Sequence, residues 1–226
     1  MWGSMDTIRE VVLVLVPMIL SLTVHEFFHA QYALWLGDDT AASQGRLTLN
    51  PVSHIDPIGT LLLPIMAVVS GSAFFFGWAR PVPVNPVRFN RQLGGKRVTM
   101  KTGMAVTAAA GPLSNLALGF LSAVLIKILA VSGFSSPAIL QLLHNLLVIN
   151  YILAIFNLLP LPPLDGSRVI GMVLPKEADR FVEKLERNPF LSMMILIALL
   201  GTGVLGAVIG PVIGGMMQST LWILGI

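Results

Sequence analysis

Two histidines and a glutamate stand within five residues, His25-Glu26-Phe27-Phe28-His29, and their types and spacing define one chemistry. On a helix, positions i and i+4 lie about 40° apart and one turn above each other, so both imidazoles can reach a single metal ion. The spacing suits zinc. Glu26, on the turn between them, is placed to take a proton from an attacking water rather than to bind the ion. The motif alone is a modest signal, because three fixed positions in five recur by chance. Its setting sharpens it: residues 11–23 carry no charge. A glutamate and two histidines in hydrocarbon cost roughly a few kcal/mol each, which makes them functional candidates. The bland alternative is that they bond to neighbouring helices.

A catalytic zinc usually takes three protein ligands and keeps a fourth position for water. With no cysteine in the chain, the third ligand comes from His54, Asp56, His144 or Asp165. Asp165 is favoured, because it closes a long apolar stretch inside a Pro-Pro-x-Asp-Gly turn whose prolines fix the chain direction and whose Gly166 permits close approach. His54 lies in a polar Asn-Pro-x-x-His loop and stands as a turn residue, a partner of the ligands or an alternative ligand. His144 falls in the far half of its helix and reads as a packing histidine. Asn115 and Asn157 sit at the depth of the site. Each could donate to a substrate carbonyl or developing oxyanion, or simply bond between helices.

The elements that must position these residues are membrane helices. Of 226 residues, 55% are hydrophobic and 11% charged, with a mean hydropathy of +0.82, against about 25% charged in a soluble domain. The expected fold is an all-α polytopic membrane protein forming one domain over residues 1–226. Core helices are expected at about 9–36, 104–131 and 138–160, with a pair of short helices at about 190–226, a stretch with glycines and Pro211 in its middle. That makes about five transmembrane helices. Residues 58–78 are apolar but interrupted by Pro64 and Ser70-Gly71-Ser72, so they form a re-entrant hairpin or one irregular span. Short β-strands are expected between the first two core helices, one at 45–51, and strand edges at 45–50 or 81–84 would suit an extended peptide by β-augmentation. The net charge of +3 comes from loops, with no basic face for nucleic acid.

Six Lys or Arg fall in residues 80–101 and five in 168–187, which makes both stretches cytoplasmic. If the first helix runs toward the cytoplasm, His29 lies about seven residues, roughly 10 Å, from its inner end. Asn115 and Asp165 then reach the same level. This direction requires residues 37–103 to begin and end on the cytoplasmic side, as a re-entrant 58–78 hairpin would.

The ordered set of His25-Glu26-Phe27-Phe28-His29, Gly111-Pro112-Leu113-Ser114-Asn115 and residues 157–166 resembles the site-2 protease family of intramembrane zinc metalloproteases (peptidase family M50), in its short prokaryotic form without PDZ or CBS domains. The resemblance implies one zinc per chain held by His25, His29 and Asp165, and Glu26 activating water. It also implies a transmembrane protein substrate, cleaved in the bilayer of a prokaryotic cell membrane by regulated intramembrane proteolysis, with the site nearer the cytoplasmic face. The competing class is a non-hydrolytic membrane protein of the same fold, a metal transporter or a pseudoprotease scaffold. Against it, the polar residues gather on one side and none of the four expected site residues is missing.

Overall fold

The computed structural model describes residues 4–71, 77–134 and 136–225. Helix α1 (Ser4–Trp35) is followed by a single-turn α2 (Thr40–Ser43) and, after a π-turn at Pro57–Leu62, by α3 (Leu63–Val69). Strands β1 (Gln92–Leu93) and β2 (Lys96–Arg97) precede α4 (Met100–Val131) and α5 (Pro137–Asn157). Then come α6 (Asp165–Gly171), α7 (Lys176–Glu186), α8 (Pro189–Gly201) and α9 (Val204–Leu224). Among the described residues, four helices are long and apolar enough to cross a membrane: Thr7–Trp35, Met100–Val131, Pro137–Asn157 and Val204–Leu224.

This corrects the expected count of about five. Of the glycines and Pro211 in the C-terminal stretch, the glycines make the break, at Gly201-Thr202-Gly203, where Gly203 takes a φ of +75°, while Pro211 lies inside α9. As a result α8 has 13 residues, about 20 Å at the helical rise and short of a 30 Å hydrocarbon layer. The partner α9 has 21 residues and is long enough. It packs on α4 and α5, with Met216 and Met217 against Ala123, Leu147 and Tyr151.

The core is a three-helix arrangement of α1, α4 and α5, and its prolines and polar side chains explain one another. Pro17 has no N–H, so the Leu13 carbonyl one turn earlier loses its helical donor. Asn145 of α5 supplies the replacement, donating to Leu13 O at 2.7 Å. An unpaired carbonyl in hydrocarbon would cost several kcal/mol, so this proline is tolerated because a neighbouring helix satisfies what it leaves open. On α4, glycines face rings: Gly103 meets Phe89, Gly111 meets His25 and His29, and Gly119 meets Tyr151.

Between α1 and α4 the chain leaves and returns. Trp78 N donates to Gly59 O at 3.3 Å, Thr60 Oγ1 to Trp78 O at 2.8 Å and Arg80 N to His54 O at 2.9 Å. The two ends of the expected 58–78 hairpin therefore lie side by side; residues 72–76 of it lie outside the described residues. The expected strand at 45–51 is not formed. Local bonding wins there, with Asn50 N donating to Thr48 Oγ1 and Val52 N to Asn50 Oδ1, before Pro51 opens a 3₁₀ turn. The strands that do form, β1 and β2, pair antiparallel, Gln92 with Arg97 and Leu93 with Lys96. They close on Gly94-Gly95, whose φ values of +58° and +77° suit the two-residue turn favoured by strand twist.

Residues 80–85 are extended but join no sheet either. Prolines at 81, 83 and 86 remove donors, while Val82 N and Asn85 N go to the carboxylates of Glu26 and Asp38. Within 81–84 the Val82 N–H and the Pro81 carbonyl are thereby committed, and the segment forms a strap laid across the C-terminal half of α1. The basic loop docks beside it, Phe89 and Val98 packing on Ala33 and Leu36.

Replacing Asn145 by leucine is expected to lower thermal stability in detergent by about 1 kcal/mol, the scale of interhelical bonds in membrane bundles, because Leu13 O is left without a donor. An unchanged unfolding temperature would refute this account of Pro17.

Candidate metal centre

Three donor atoms from two distant parts of the chain, α1 and the start of α6, converge against α4. His25 Nε2 and His29 Nε2 stand 2.9 Å apart, and Asp165 Oδ2 lies 3.1 Å from the first and 3.2 Å from the second. Among the described residues this is the group of His and carboxylate side chains able to hold a metal ion. Donors tetrahedrally arranged about 2.0–2.1 Å from zinc sit roughly 3.3–3.4 Å from one another. The observed triangle needs to open by only a few tenths of an ångström to take the ion on its open face.

The other ring nitrogens make the same point through their protons. His25 Nδ1 donates to Asn115 Oδ1 at 2.6 Å, and His29 Nδ1 donates to the Thr107 carbonyl at 2.7 Å. Both acceptors are oxygens, so both Nδ1 atoms carry the hydrogen and both Nε2 atoms turn their lone pairs inward. Two bare nitrogens and a carboxylate oxygen facing one another repel unless a cation lies between them.

Each element reaches this point for a local reason. Gly111 lies against the two imidazoles: a Cβ there would stand 2.5 Å from His29 Cε1 and Nε2 and 2.6 Å from His25 Cε1. Pro112 has no N–H for the Ala108 carbonyl one turn back, and beside that carbonyl Thr107 O receives His29. Asn115, one turn further on, receives His25. The Gly-Pro-x-x-Asn sequence of α4 is thus a seat for both histidines, beyond the bending and close packing that its glycine and proline suggest by themselves. Asp165 is the first residue of α6, aimed by the turn before it. Gly166 makes that turn possible, because its Cα lies so close to the chain that a Cβ would stand 2.2 Å from Leu158 O and 2.3 Å from Leu159 O.

Glu26 is buried at 8% exposure, and its Oε2 accepts Val82 N–H at 2.8 Å. Arg46, exposed by only 7%, fixes the strap from the other side, its Nη2 donating to Arg80 O at 2.5 Å and to Pro81 O at 3.2 Å. Sequence reasoning did not single out Arg46, Val82, Thr107 or Asn150. Arg46 and Asn150 had a signal, a charge and an amide that end up buried. Thr107 and Val82 act through their backbones and had none.

The remaining expected residues are not members of the metal-ligand group. His54 is buried, but its Nε2 bonds Thr48 O at 2.9 Å and its own carbonyl takes Arg80 N; it supports the strap and is not in the metal cluster. Asn115 has both amide hydrogens committed, to Ser21 O at 3.1 Å and Asn150 Oδ1 at 2.7 Å, so it orients His25 and has no hydrogen left for a substrate carbonyl. Asn157 gives one hydrogen to Leu153 O in its own helix at 2.9 Å. His144 is exposed, in the N-terminal half of α5.

Known proteins resemble this chain over most of its length. The family model described as Peptidase family M50 matches residues 126–201. A Bacillus subtilis protein named "Putative zinc metalloprotease YwhC" is 39% identical over 187 residues, 80% of this chain and 78% of that protein. "Putative zinc metalloprotease Rip2" of Mycolicibacterium smegmatis is 27% identical over 205 residues, covering 87% of this chain and 73% of that protein. Its Mycobacterium tuberculosis namesake is 29% identical over 214 residues, 86% and 72% of the two chains. No solved structure matches the chain. The chain belongs to peptidase family M50, the site-2 protease family, and with its four long apolar helices it is an integral membrane protein.

Gly111→Ala is expected to weaken zinc binding by about 100-fold, the upper range for disturbing the support of metal ligands. Metal analysis of the purified variant checks this; full zinc occupancy at wild-type affinity would show that α4 does not seat the rings.

Proposed function

We propose that this protein is an intramembrane zinc metalloprotease that hydrolyses peptide bonds within or near transmembrane segments of membrane protein substrates. The observation that carries the reading is the convergence of His25 Nε2, His29 Nε2 and Asp165 Oδ2 within 3.2 Å, one residue away from a buried glutamate. His25, His29 and Asp165 hold one zinc ion. A bound zinc supplies Lewis-acid polarisation of the scissile carbonyl and lowers the pKa of a water toward about 7.

Glu26 is the general base. Its Oε2 is held by Val82 N–H, which fixes the carboxylate and leaves Oε1 to take the proton as the water oxygen bonds to the carbonyl carbon. The same carboxyl then returns that proton to the leaving amine nitrogen as the C–N bond breaks, giving a carboxylate and an amine. Of the two candidate amides, Asn157 is the one with a hydrogen uncommitted to α1, α4 or α5, so the donor to the developing oxyanion is assigned to Asn157. A helical substrate must unwind to present its carbonyl, and it meets Glu26 beside the strap.

The site lies nearer the cytoplasmic face. Supporting this, the basic stretch 80–101 docks at the inner end of α1, where Asn90 N and Arg91 N donate to Leu36 O at 3.0 and 3.3 Å, and positive loops stay inside. The bonds joining 54–60 to 78–80 support a hairpin that enters and leaves on that face. Water therefore reaches the centre over a short path. Release of a cytoplasmic fragment by regulated proteolysis fits such a site in a prokaryotic cell membrane.

Purified protein mixed with a model transmembrane substrate tests the reading. Glu26→Gln is expected to lower cleavage by at least about 100-fold with zinc retained, and chelation is expected to abolish cleavage until zinc is restored. Equal rates for wild type and variant, or cleavage by zinc-free protein, would sink the mechanism. Asn157→Leu is expected to lower kcat about 10-fold or more with KM and zinc content kept; an unchanged kcat would remove Asn157 from the reaction.

A further inference from the structure

We propose that Asn150 is a positioning residue of the metal site: through Asn115 it holds His25 in the tautomer that leaves Nε2 free for zinc. The inference rests on the zinc reading above. It follows from the direction of each hydrogen bond in a buried chain that links α5, α4 and α1.

Backbone carbonyls only accept, so they set the direction. Asn150 Nδ2 bonds Leu146 O at 2.7 Å and Ser21 Oγ at 2.8 Å, and Ser21 Oγ passes its own proton to Pro17 O at 2.7 Å. Both amide hydrogens of Asn150 are thereby committed, and its oxygen faces Asn115. Asn115 Nδ2 donates to that oxygen at 2.7 Å and to Ser21 O at 3.1 Å. Its own oxygen is left facing His25 Nδ1, 2.6 Å away. An oxygen there requires the hydrogen on Nδ1.

The two histidines differ in what guarantees this. His29 Nδ1 faces the Thr107 carbonyl, which cannot exchange its oxygen for a donor. His25 Nδ1 faces a side-chain amide, whose O and NH₂ ends are nearly the same shape and are told apart only by their bonds. An Asn115 turned around would present NH₂ to Nδ1, drive the ring hydrogen to Nε2 and remove a metal ligand. Ser21 O opposes that turn through the longer of the two bonds. Asn150, which is 0% exposed, opposes it through the shorter. Simple glue between α1 and α5 would account for the bond from Asn150 to Ser21, but it would not require the Asn150 oxygen to be directed at Asn115.

The test measures zinc affinity by chelator competition, and the visible spectrum of the cobalt-substituted site, on the full chain in detergent. Asn150→Leu, close to isosteric, is expected to weaken zinc binding by about 10-fold and to alter the cobalt bands. Asn150→Asp keeps an acceptor for Asn115 and is expected to stay within about threefold of wild type. Asn145→Leu removes another α5 amide bonded to α1, off the path to His25, and is expected to lose stability with zinc affinity within about twofold. Asn115→Leu and the Asn115→Leu/Asn150→Leu double variant are expected to bind zinc equally, since Asn150 acts through Asn115. Wild-type affinity in Asn150→Leu, or a loss no larger than in Asn145→Leu, would overturn the inference; Asn150→Ala, judged by the same limits, replaces Asn150→Leu if that variant does not fold. Failure of wild type and Asn145→Leu alike to bind zinc would overturn the metal reading itself, and the inference with it.

Discussion

Two imidazole nitrogens and a carboxylate oxygen, within 3.2 Å of one another in an apolar bundle, repel one another unless a cation sits among them. Much of the surrounding structure can be understood as the means of holding that arrangement. Each histidine proton is turned outward to an oxygen that is itself anchored. The carboxylate is brought in by a turn that tolerates no side chain at Gly166. The price in desolvation is several kcal/mol per buried charge, and metal coordination is the compensation that such groups find inside proteins.

The irregularities of the helices serve the same end. Pro17 leaves a carbonyl that Asn145 satisfies, and the two together pin α5 to α1. Pro112 stands one turn beyond the carbonyl that receives His29, and Gly111 clears the space the rings occupy. A regular α4 with an alanine at 111 would pack against α1 and exclude the imidazoles. Buried amides at 115 and 150 then join the three helices without a single solvent-exposed member, which is how polar networks persist in hydrocarbon.

Glu26 depends on a different part of the chain. The strap at 80–85 is tied by Arg46 on the carbonyls of Arg80 and Pro81, by the His54 carbonyl on Arg80 N, by Glu26 on Val82 and by Asp38 on Asn85. Burial and the neighbouring Arg80 charge hold the Arg46 guanidinium below its ordinary range, and the Glu26 carboxylate opposes them only in part, so charge as well as hydrogen bonding links the strap to the site. The alternating prolines that spoil a β-edge are what keep this segment extended and unpaired.

Local sequence determined the helical, membrane-embedded class and the pairing of His25 with His29, because apolar run length and the i, i+4 spacing are properties of the chain itself. It also singled out Asp165, Asn115 and the irregular 58–78 stretch, whose types and neighbours mark them as exceptions in an apolar chain. It did not determine the strand at 45–51 against local side-chain bonding, nor where the C-terminal stretch breaks, since a proline inside a helix and a glycine pair between helices look alike without neighbours. Only the tertiary structure decided that Asn115 faces His25, that His54 serves the strap, and that Thr107, Val82, Arg46 and Asn150 complete the surroundings of the site. The physical reason is that these roles are directions of hydrogen bonds between segments dozens of residues apart, and direction is set by packing, not by spacing along the chain.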